Sequence, residues 1–232
     1  MVMHWLKTRL FGKKGLSFKK QLSNLYVHNT ELLAIDLELT SLDTQTTSIT
    51  SIGWAKGKGC QLPLNACEYY VIDTPAELGQ SPVIHGLTQD ILQEGVSLQH
   101  AISKVLPLLE TSVLVFHNAS LDLAALNRTF VELSLPAIDV VYIDTLKLAV
   151  YQLNKQHQVL PNNSATLSVC RQRLDLPSCP EHNALDDAMA TLQLFFAQIE
   201  QFGLTQQSAL LQLHHTKALG CYRLGKEAGT RL

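Results

Sequence analysis

Three apolar runs of strand length follow one another in the chain after residue 30. They span residues 32–39, 48–55 and 68–73, and the glycines at 57 and 59 mark a turn between the last two. Three such runs in direct succession predict three antiparallel strands.

Beyond residue 95 the spacing of apolar residues is typical of helices and strands in alternation. Residues 98–109 have apolar positions three and four apart, as a helix requires, and residues 113–116 form a short strand of the buried type. The alternation continues with a helix at 121–133, a strand at 140–143, and helices that start at Thr145, span 166–174 and span 183–202. This order predicts an α/β domain with a mixed five-stranded sheet flanked by helices.

The 232 residues fit one domain with short extensions. We predict a basic appendage at residues 1–26, the main domain at 27–203, and a C-terminal helix and polar tail at 204–232. The appendage carries six Lys and Arg residues and no acid, which leaves a net charge of −8 for the rest of the chain. An acidic body that binds nucleic acid needs local basic patches or bound cations. Four interpretations of the appendage stay open. It contacts nucleic acid, an anionic membrane surface or a protein, or it is a free tail without a binding role.

Composition narrows the class of protein. Hydrophobic residues make up 46% of the chain and charged residues 16%, which argues against disorder over most of its length. The five cysteines include no C-x-x-C pair, so reduced cytoplasmic thiols are favoured over a zinc site or a disulfide framework. The sequence has no apolar stretch of the ~20 residues that a membrane span needs, and no signal-peptide pattern. We therefore predict a cytoplasmic protein.

Two acids interrupt the first predicted strand. Because strand side chains alternate between faces, Asp36 and Glu38 lie on one face with Ala34 and Thr40. Two carboxylates on an otherwise apolar central strand repel each other unless cations neutralise them, and oxygen ligands suit Mg²⁺ or Mn²⁺. An edge strand with a solvated polar face explains the same pattern, so both interpretations stay open here.

Further acids stand at the starts of two predicted helices. Asp122 falls in the first turn after the 113–116 strand, where it also fits a simple role at the helix dipole with Ser120 as N-cap.

The longest helix begins near Asn183, a candidate N-cap. Only one of Asp186 and Asp187 can face a given site, and Asp187 borders the apolar stripe. His182, just before this helix, fits either a cleft or a surface loop.

These segments together resemble the DEDDh branch of the DEDD exonuclease superfamily, which includes the proofreading epsilon subunit of bacterial DNA polymerase III. The family patterns D-x-E-x-T, H-G-[IL]-T, H-N-A-x-x-D and H-x-A-x-x-D-A match residues 36–40, 85–88, 117–122 and 182–188, and Asp144-Thr145 matches a further pair. The resemblance covers roughly residues 30–202, and four motifs in order make it specific.

The resemblance implies an RNase H-like fold and a two-metal mechanism. Asp36, Glu38, Asp122 and Asp187 are then the ligands of two divalent ions, Mg²⁺ or Mn²⁺, and His182 is the general base. The implied reaction removes nucleoside 5′-monophosphates one at a time from the 3′ end of a strand.

The resemblance also implies which residues contact the terminal nucleotide: the backbone of Leu39, Thr40, His85 and Leu87. His85 fits a structural turn equally well, and Asn118 is expected to fix its loop rather than react. Asp144 is predicted to be a helix cap or structural acid.

Leu39, Ser41 and Leu121 depart from the commonest family pattern at positions that border the nucleotide, so substrate preference is open. We predict a DNA exonuclease of the proofreading or repair type that acts on single-stranded or frayed 3′ ends. The alternatives are an RNA trimmer similar to RNase T or oligoribonuclease, and a non-catalytic nucleic-acid-binding module. A serine hydrolase is disfavoured because Ser120 lacks the G-x-S-x-G turn. Contact with a polymerase or a sliding clamp has no sequence signature.

Overall fold

The computed structural model describes residues 24–41, 43, 47–74, 86–156 and 163–225. The strands are β1 (Leu32–Leu39), β2 (Ile49–Gly57), β3 (Cys67–Val71), β4 (Val113–Phe116), β5 (Ile138–Asp144) and β6 (Leu219–Leu224). The α-helices are α1 (Gln89–Gln93), α2 (Leu98–Leu109), α3 (Ala119–Glu132), α4 (Thr145–Gln156), α5 (Leu167–Arg173) and α6 (Ala184–Gln201). Two 3₁₀ helices span Leu64–Ala66 and Leu210–Thr216.

All six strands form one mixed sheet in the order β3-β2-β1-β4-β5-β6. The first three strands are antiparallel, β1, β4 and β5 run parallel, and β6 returns antiparallel to β5. The carboxyl ends of β1, β4 and β5 therefore meet at one edge of the sheet. The predicted α/β class with a mixed sheet is confirmed.

The sheet has one strand more than the sequence predicts. The segment after Gly203, expected to form a helix and a polar tail, instead contains the 3₁₀ helix Leu210–Thr216 and the edge strand β6. In β6 the exposed residues Cys221 and Arg223 alternate with the more buried Gly220, Tyr222 and Leu224, but a run of six residues that contains a glycine gives only a weak strand signal in the sequence. Pairing with β5 supplies the tertiary contact that makes this segment a strand.

The central strand β1 is buried on both faces. Its odd-numbered residues pack in a cluster with α2 and α3, whereas Leu32 and Ala34 pack with the α6 residues Ala188, Leu192 and Phe195. The alternative of an edge strand with a solvated face is therefore wrong. The alternation also places the carboxylates of residues 36 and 38 on the face that α6 covers.

Local capping explains where the helices start. Asn183 caps α6 as predicted, since its Oδ1 accepts hydrogen bonds from the N–H groups of Leu185 and Asp186 at 3.0 and 3.3 Å. The cap position of α3 is occupied by Asn118 in a left-handed conformation, with φ of 76°, so the proposed Ser120 cap is wrong. Of the helices in the described part of the chain, none is long and apolar enough to cross a bilayer.

The predicted appendage lies mostly outside the described residues, which begin at residue 24. The few residues that precede β1 pair with the C-terminal segment. Tyr26 forms an antiparallel bridge with Ala209, and the Val27 N–H donates to the Ser208 carbonyl at 3.0 Å.

Candidate active site

Three carboxylates from two distant parts of the chain converge at the covered face of β1. One oxygen each from Asp36, Glu38 and Asp187 lies within 4.8 Å of the other two. Glu38 is only 5% exposed, and the other two side chains are half-buried. We call Asp36, Glu38 and Asp187 the acid triad.

The start of α6 brings Asp187 to the strand pair. The Asp187 N–H donates to the Asn183 carbonyl at 2.9 Å, and the His182 N–H donates to Asp187 Oδ2 at 3.0 Å. These bonds fix the carboxylate to the first turn of the helix, facing the sheet. Its neighbour Asp186 does not belong to the acid triad, as the apolar stripe on this helix predicts.

Asp122 lies beside the acid triad but outside it. It comes from the first turn of α3 and is 8% exposed. Strand β4 pairs only with residues 32–34 of β1, so β1 continues beyond this pairing on the side of β4. The backbone of Leu37 hydrogen-bonds the Asp122 carboxylate there, and the charges of Asp36 and Glu38 are close enough to act on it.

Burial and repulsion between neighbouring carboxylates raise the pKa values of Asp36, Asp122 and Asp187. The pKa of Asp36 lies well above its usual range because of burial and, in decreasing order, the charges of Asp122, Asp187 and Glu38. Burial raises the pKa of Asp122 to about 7, and that of Asp187 to about 6. The same burial and repulsion destabilise the ionised carboxylates, and bound cations would relieve this by neutralising them. Carboxylate oxygens are the ligands that Mg²⁺ and Mn²⁺ prefer, so the site fits such ions.

His182 lies at the rim of the acid triad. Its backbone is left-handed, with φ of 64°, and its side chain is 54% exposed. The imidazole lowers the pKa of Asp187, and its Nε2 lies 4.0 Å from Glu181 Oε2. This position gives the ring access both to solvent and to the acids.

Asp144 holds the turn after β4 and the start of α4. It is 2% exposed, and its two oxygens accept hydrogen bonds from the N–H groups of Asn118, Ala119, Leu146 and Lys147 at 3.1 to 3.4 Å. The prediction of a helix cap and structural acid is confirmed.

His117 has a role that the sequence did not suggest. Its Nε2 donates to the Ala165 carbonyl at 2.9 Å, and its Nδ1 lies 2.8 Å from Thr145 Oγ1. Thr145 also donates to the Phe116 carbonyl at 3.0 Å, and burial lowers the pKa of His117. The ring thus ties the turn after β4 to α4 and to the segment before α5. The sequence signal for this role was the position of His117 next to Asn118 in the H-N-A-x-x-D motif.

The residues predicted to contact the terminal nucleotide differ in their burial and hydrogen bonding. Thr40 Oγ1 accepts a hydrogen bond from the Ser48 N–H at 2.9 Å, which closes the connection between β1 and β2. Leu39 is buried in the core, Leu87 is buried against Leu92 and Val71, and Asn118 accepts a hydrogen bond from Ser120 Oγ at 3.0 Å. His85 lies outside the described residues.

Comparison with known proteins places this geometry in a family. The exonuclease family model of the RNase T type matches residues 33–195. The PolC-type DNA polymerase III of Thermotoga maritima is 32% identical over 189 residues, which is 79% of this chain and 13% of that protein. The epsilon subunit of DNA polymerase III from Buchnera aphidicola is 26% identical over 172 residues, 66% of this chain and 71% of the relative. The chain thus spans only a small part of the PolC-type relatives.

Solved structures share the fold. Exonuclease X in complex with 5′ overhanging duplex DNA superposes with a TM-score of 0.57 at 21% identity, over 78% of this chain and 98% of that one. Exonuclease I from Methylocaldum szegediense gives a TM-score of 0.60 at 14% identity, over 74% and 41% of the two chains. The fold is therefore RNase H-like, as the motifs imply. With the family model matched across β1 to α6, the chain belongs to the RNase T-type exonuclease family and resembles the epsilon subunit of DNA polymerase III.

Proposed function

We propose that this exonuclease digests DNA from the 3′ end with the help of two divalent ions and releases nucleoside 5′-monophosphates. The observation that carries the proposal is the acid triad, one buried and two half-buried carboxylates with oxygens within 4.8 Å of one another. A purely structural role does not explain why three repelling acids should converge from β1 and α6.

The donor set would suit two divalent ions. The acid triad would supply ligands for one of them, and Asp122, whose charge has the largest charge effect on the Asp36 pKa, would supply a ligand for the other. When bound, the ions lower the pKa of a water molecule and stabilise the charge on the departing 3′ oxygen. They also provide the positive charge that an acidic body needs to bind a phosphate backbone.

His182 is the proposed general base. Its exposed ring next to Asp187 can accept a proton from the attacking water and pass it to solvent. The hydrogen bond from the His182 N–H to Asp187 ties the base and a metal ligand to the same turn of backbone. A movement of one therefore moves the other.

DNA is the preferred substrate in this proposal because the two relatives described above carry the names of DNA polymerase III proteins. We propose a role in proofreading or repair, as the resemblance to the epsilon subunit implies. Metal ions held by the four acids would contact the phosphates of DNA and RNA alike, so RNA trimming is the alternative outcome of the test.

The test is a timed digest of 5′-labelled DNA and RNA strands of the same sequence, with Mg²⁺, with Mn²⁺ and with EDTA. We expect a ladder of DNA that shortens from the 3′ end in either metal, and no products in EDTA. Full activity in EDTA, or shortening from the 5′ end, contradicts the proposal, and a faster RNA ladder reassigns the substrate.

Variants link the activity to the acids. Asp36→Ala and Asp187→Ala are expected to abolish digestion while circular dichroism remains that of the wild type, because each removes a ligand of the acid triad. Asp186→Ala is the matched control, since it removes the neighbouring carboxylate that lies outside the triad. Equal losses in Asp186→Ala and Asp187→Ala would contradict the assignment.

A further inference from the structure

We infer that Gly53 is a positioning residue: its missing side chain lets the first turn of α6 lie directly on the sheet, which sets how close Asp187 comes to Asp36 and Glu38. This inference rests on the proposed metal-dependent function and adds a residue that touches neither ion nor substrate.

Gly53 lies directly beneath the acid triad. In the antiparallel pair of β1 and β2 it is the partner of Asp36, and paired residues point to the same face of a sheet. Its neighbours Ile52 and Trp54 belong to the cluster on the opposite face, and Ala55 belongs to the α6 cluster. The side chain that Gly53 lacks would therefore point at α6.

The space above Gly53 is filled by helix backbone. A Cβ atom there would lie 2.3 Å from the Ala184 carbonyl carbon, 2.3 Å from the Leu185 nitrogen and 2.4 Å from the Ala184 oxygen. Backbone atoms cannot rotate away as a side-chain end can, so the start of the helix must shift by roughly 1 Å to reach ordinary contact distance. The φ angle of Gly53 is not positive, so it is space and not backbone conformation that requires glycine here.

The shift would pass directly to the acid triad. Ala184 is the first residue of α6, and Asp187 follows three residues later on the same turn. Asn183 and His182 are bonded to that turn through the cap and through the Asp187 carboxylate, so they move with it. One substitution at Gly53 therefore displaces a metal ligand and the general base together, away from the two ligands on β1.

Gly57 provides a matched control on the same strand and the same face. A Cβ there would meet Leu192 Cδ2 and Phe196 Cζ, each at 2.9 Å, and the Gln61 carbonyl oxygen at 2.8 Å. The two helix contacts are ends of side chains that can rotate, and they lie more than a turn beyond Asp187. Crowding at Gly57 therefore costs stability without moving the start of α6.

The experiment compares wild type, Gly53→Ala and Gly57→Ala by calorimetric titration of Mn²⁺ into metal-free protein, without nucleic acid. We expect Gly53→Ala to keep its circular dichroism and elution volume, to bind Mn²⁺ ~10-fold more weakly or worse, and to digest DNA ~10²-fold more slowly, as a 1 Å displacement predicts. Gly57→Ala is expected to bind Mn²⁺ as the wild type does, even where its melting temperature falls.

Wild-type Mn²⁺ affinity in Gly53→Ala, or an equal loss in both glycine variants, would overturn the inference. Failure of the proposed function is separate, because it shows as absent digestion or absent Mn²⁺ binding in the wild type. If Gly53→Ala does not fold, Ala188→Ser replaces it, since this fully buried residue seats the next turn of α6 on the sheet. Unchanged Mn²⁺ affinity in folded Ala188→Ser would then count against the inference.

Discussion

At the scale of single residues, the site combines acids that resist ionisation with a histidine at their rim. Burial raises the pKa of Asp122 to about 7 and that of Asp187 to about 6. The folded chain without metal thus holds protons that the unfolded chain releases near the ordinary aspartate value. Protons and divalent ions then compete for the same oxygens, and metal affinity rises with pH.

This competition predicts a pH dependence of stability. Since the folded pKa of Asp122 is raised, its favourable contribution is complete below the unfolded value and is lost as pH rises through about 7. In EDTA, the melting temperature of the wild type minus that of Asp122→Asn should therefore become more negative between about pH 5 and pH 8. Taking this difference removes the opposite contribution of His117, whose pKa burial lowers.

The measurement is a melting curve at several pH values with and without Mg²⁺. Bound Mg²⁺ should reduce the loss in the wild type, because the ions take over the neutralising role of the protons. A difference that is constant or rises with pH in EDTA would mean that the Asp122 carboxyl is not perturbed in the folded state.

The proposed role of His182 as general base predicts a kinetic effect without a structural one. His182→Ala should lower the rate of DNA digestion ~10²-fold or more, because it removes the proposed proton acceptor. The exposed ring makes few demands on the fold, so the melting temperature should stay near that of the wild type. Single-turnover rates with saturating strand measure the effect, and a loss confined to KM would assign His182 to substrate binding instead.

At the scale of elements, the carboxyl edge of the sheet is organised by one buried acid. Asp144 ends β5, caps α4 and holds the turn that leads into α3. The position of α3, and with it Asp122, thus depends on hydrogen bonds between elements that are distant in sequence.

Asp144→Ala is therefore expected to destabilise the fold by at least about 3 kcal/mol, since it leaves several buried N–H groups without an acceptor. Urea unfolding measures this loss. Asp139→Ala is the matched control on the same strand, because its pair with Arg223 is exposed and worth less than about 1 kcal/mol. Similar losses in the two variants would contradict the role of Asp144.

At the scale of the whole molecule, the C-terminal segment completes the sheet. Four of its leucines are buried, at positions 210, 213, 219 and 224, and its first residues bond to the segment before β1. The family model ends at residue 195, so this closure lies outside the part of the chain that the family model matches.

Ending the chain after Gly203 should therefore prevent stable folding. Burial of each leucine contributes about 1.5–3 kcal/mol, and four such losses approach the total stability of a typical domain, about 5–15 kcal/mol. Soluble yield and circular dichroism measure the outcome. A chain that ends after Gly225 keeps all named elements and serves as the control. Cooperative unfolding of the shorter chain would show that residues 204–225 are not required for folding.

The sequence by itself determined the features that depend on a few neighbouring residues. The bounds of β1, β4 and α2 match the predicted ones, Asn183 caps α6, and the alternation along β1 puts Asp36 and Glu38 on one face. Periodicity and capping depend on residues that lie within about four positions of one another, so the linear sequence is enough to predict them. The motifs further indicated which acids belong together.

Only the tertiary structure decided how those acids meet. It made β1 central, added β6 through pairing with β5, and put Asp122 of α3 beside the acid triad, where the Leu37 backbone hydrogen-bonds its carboxylate. It also showed His117 bridging three segments and helix backbone filling the space above Gly53. These features depend on the distance between residues far apart in the chain, and that distance is set by how helices pack on the sheet, which local pattern does not encode.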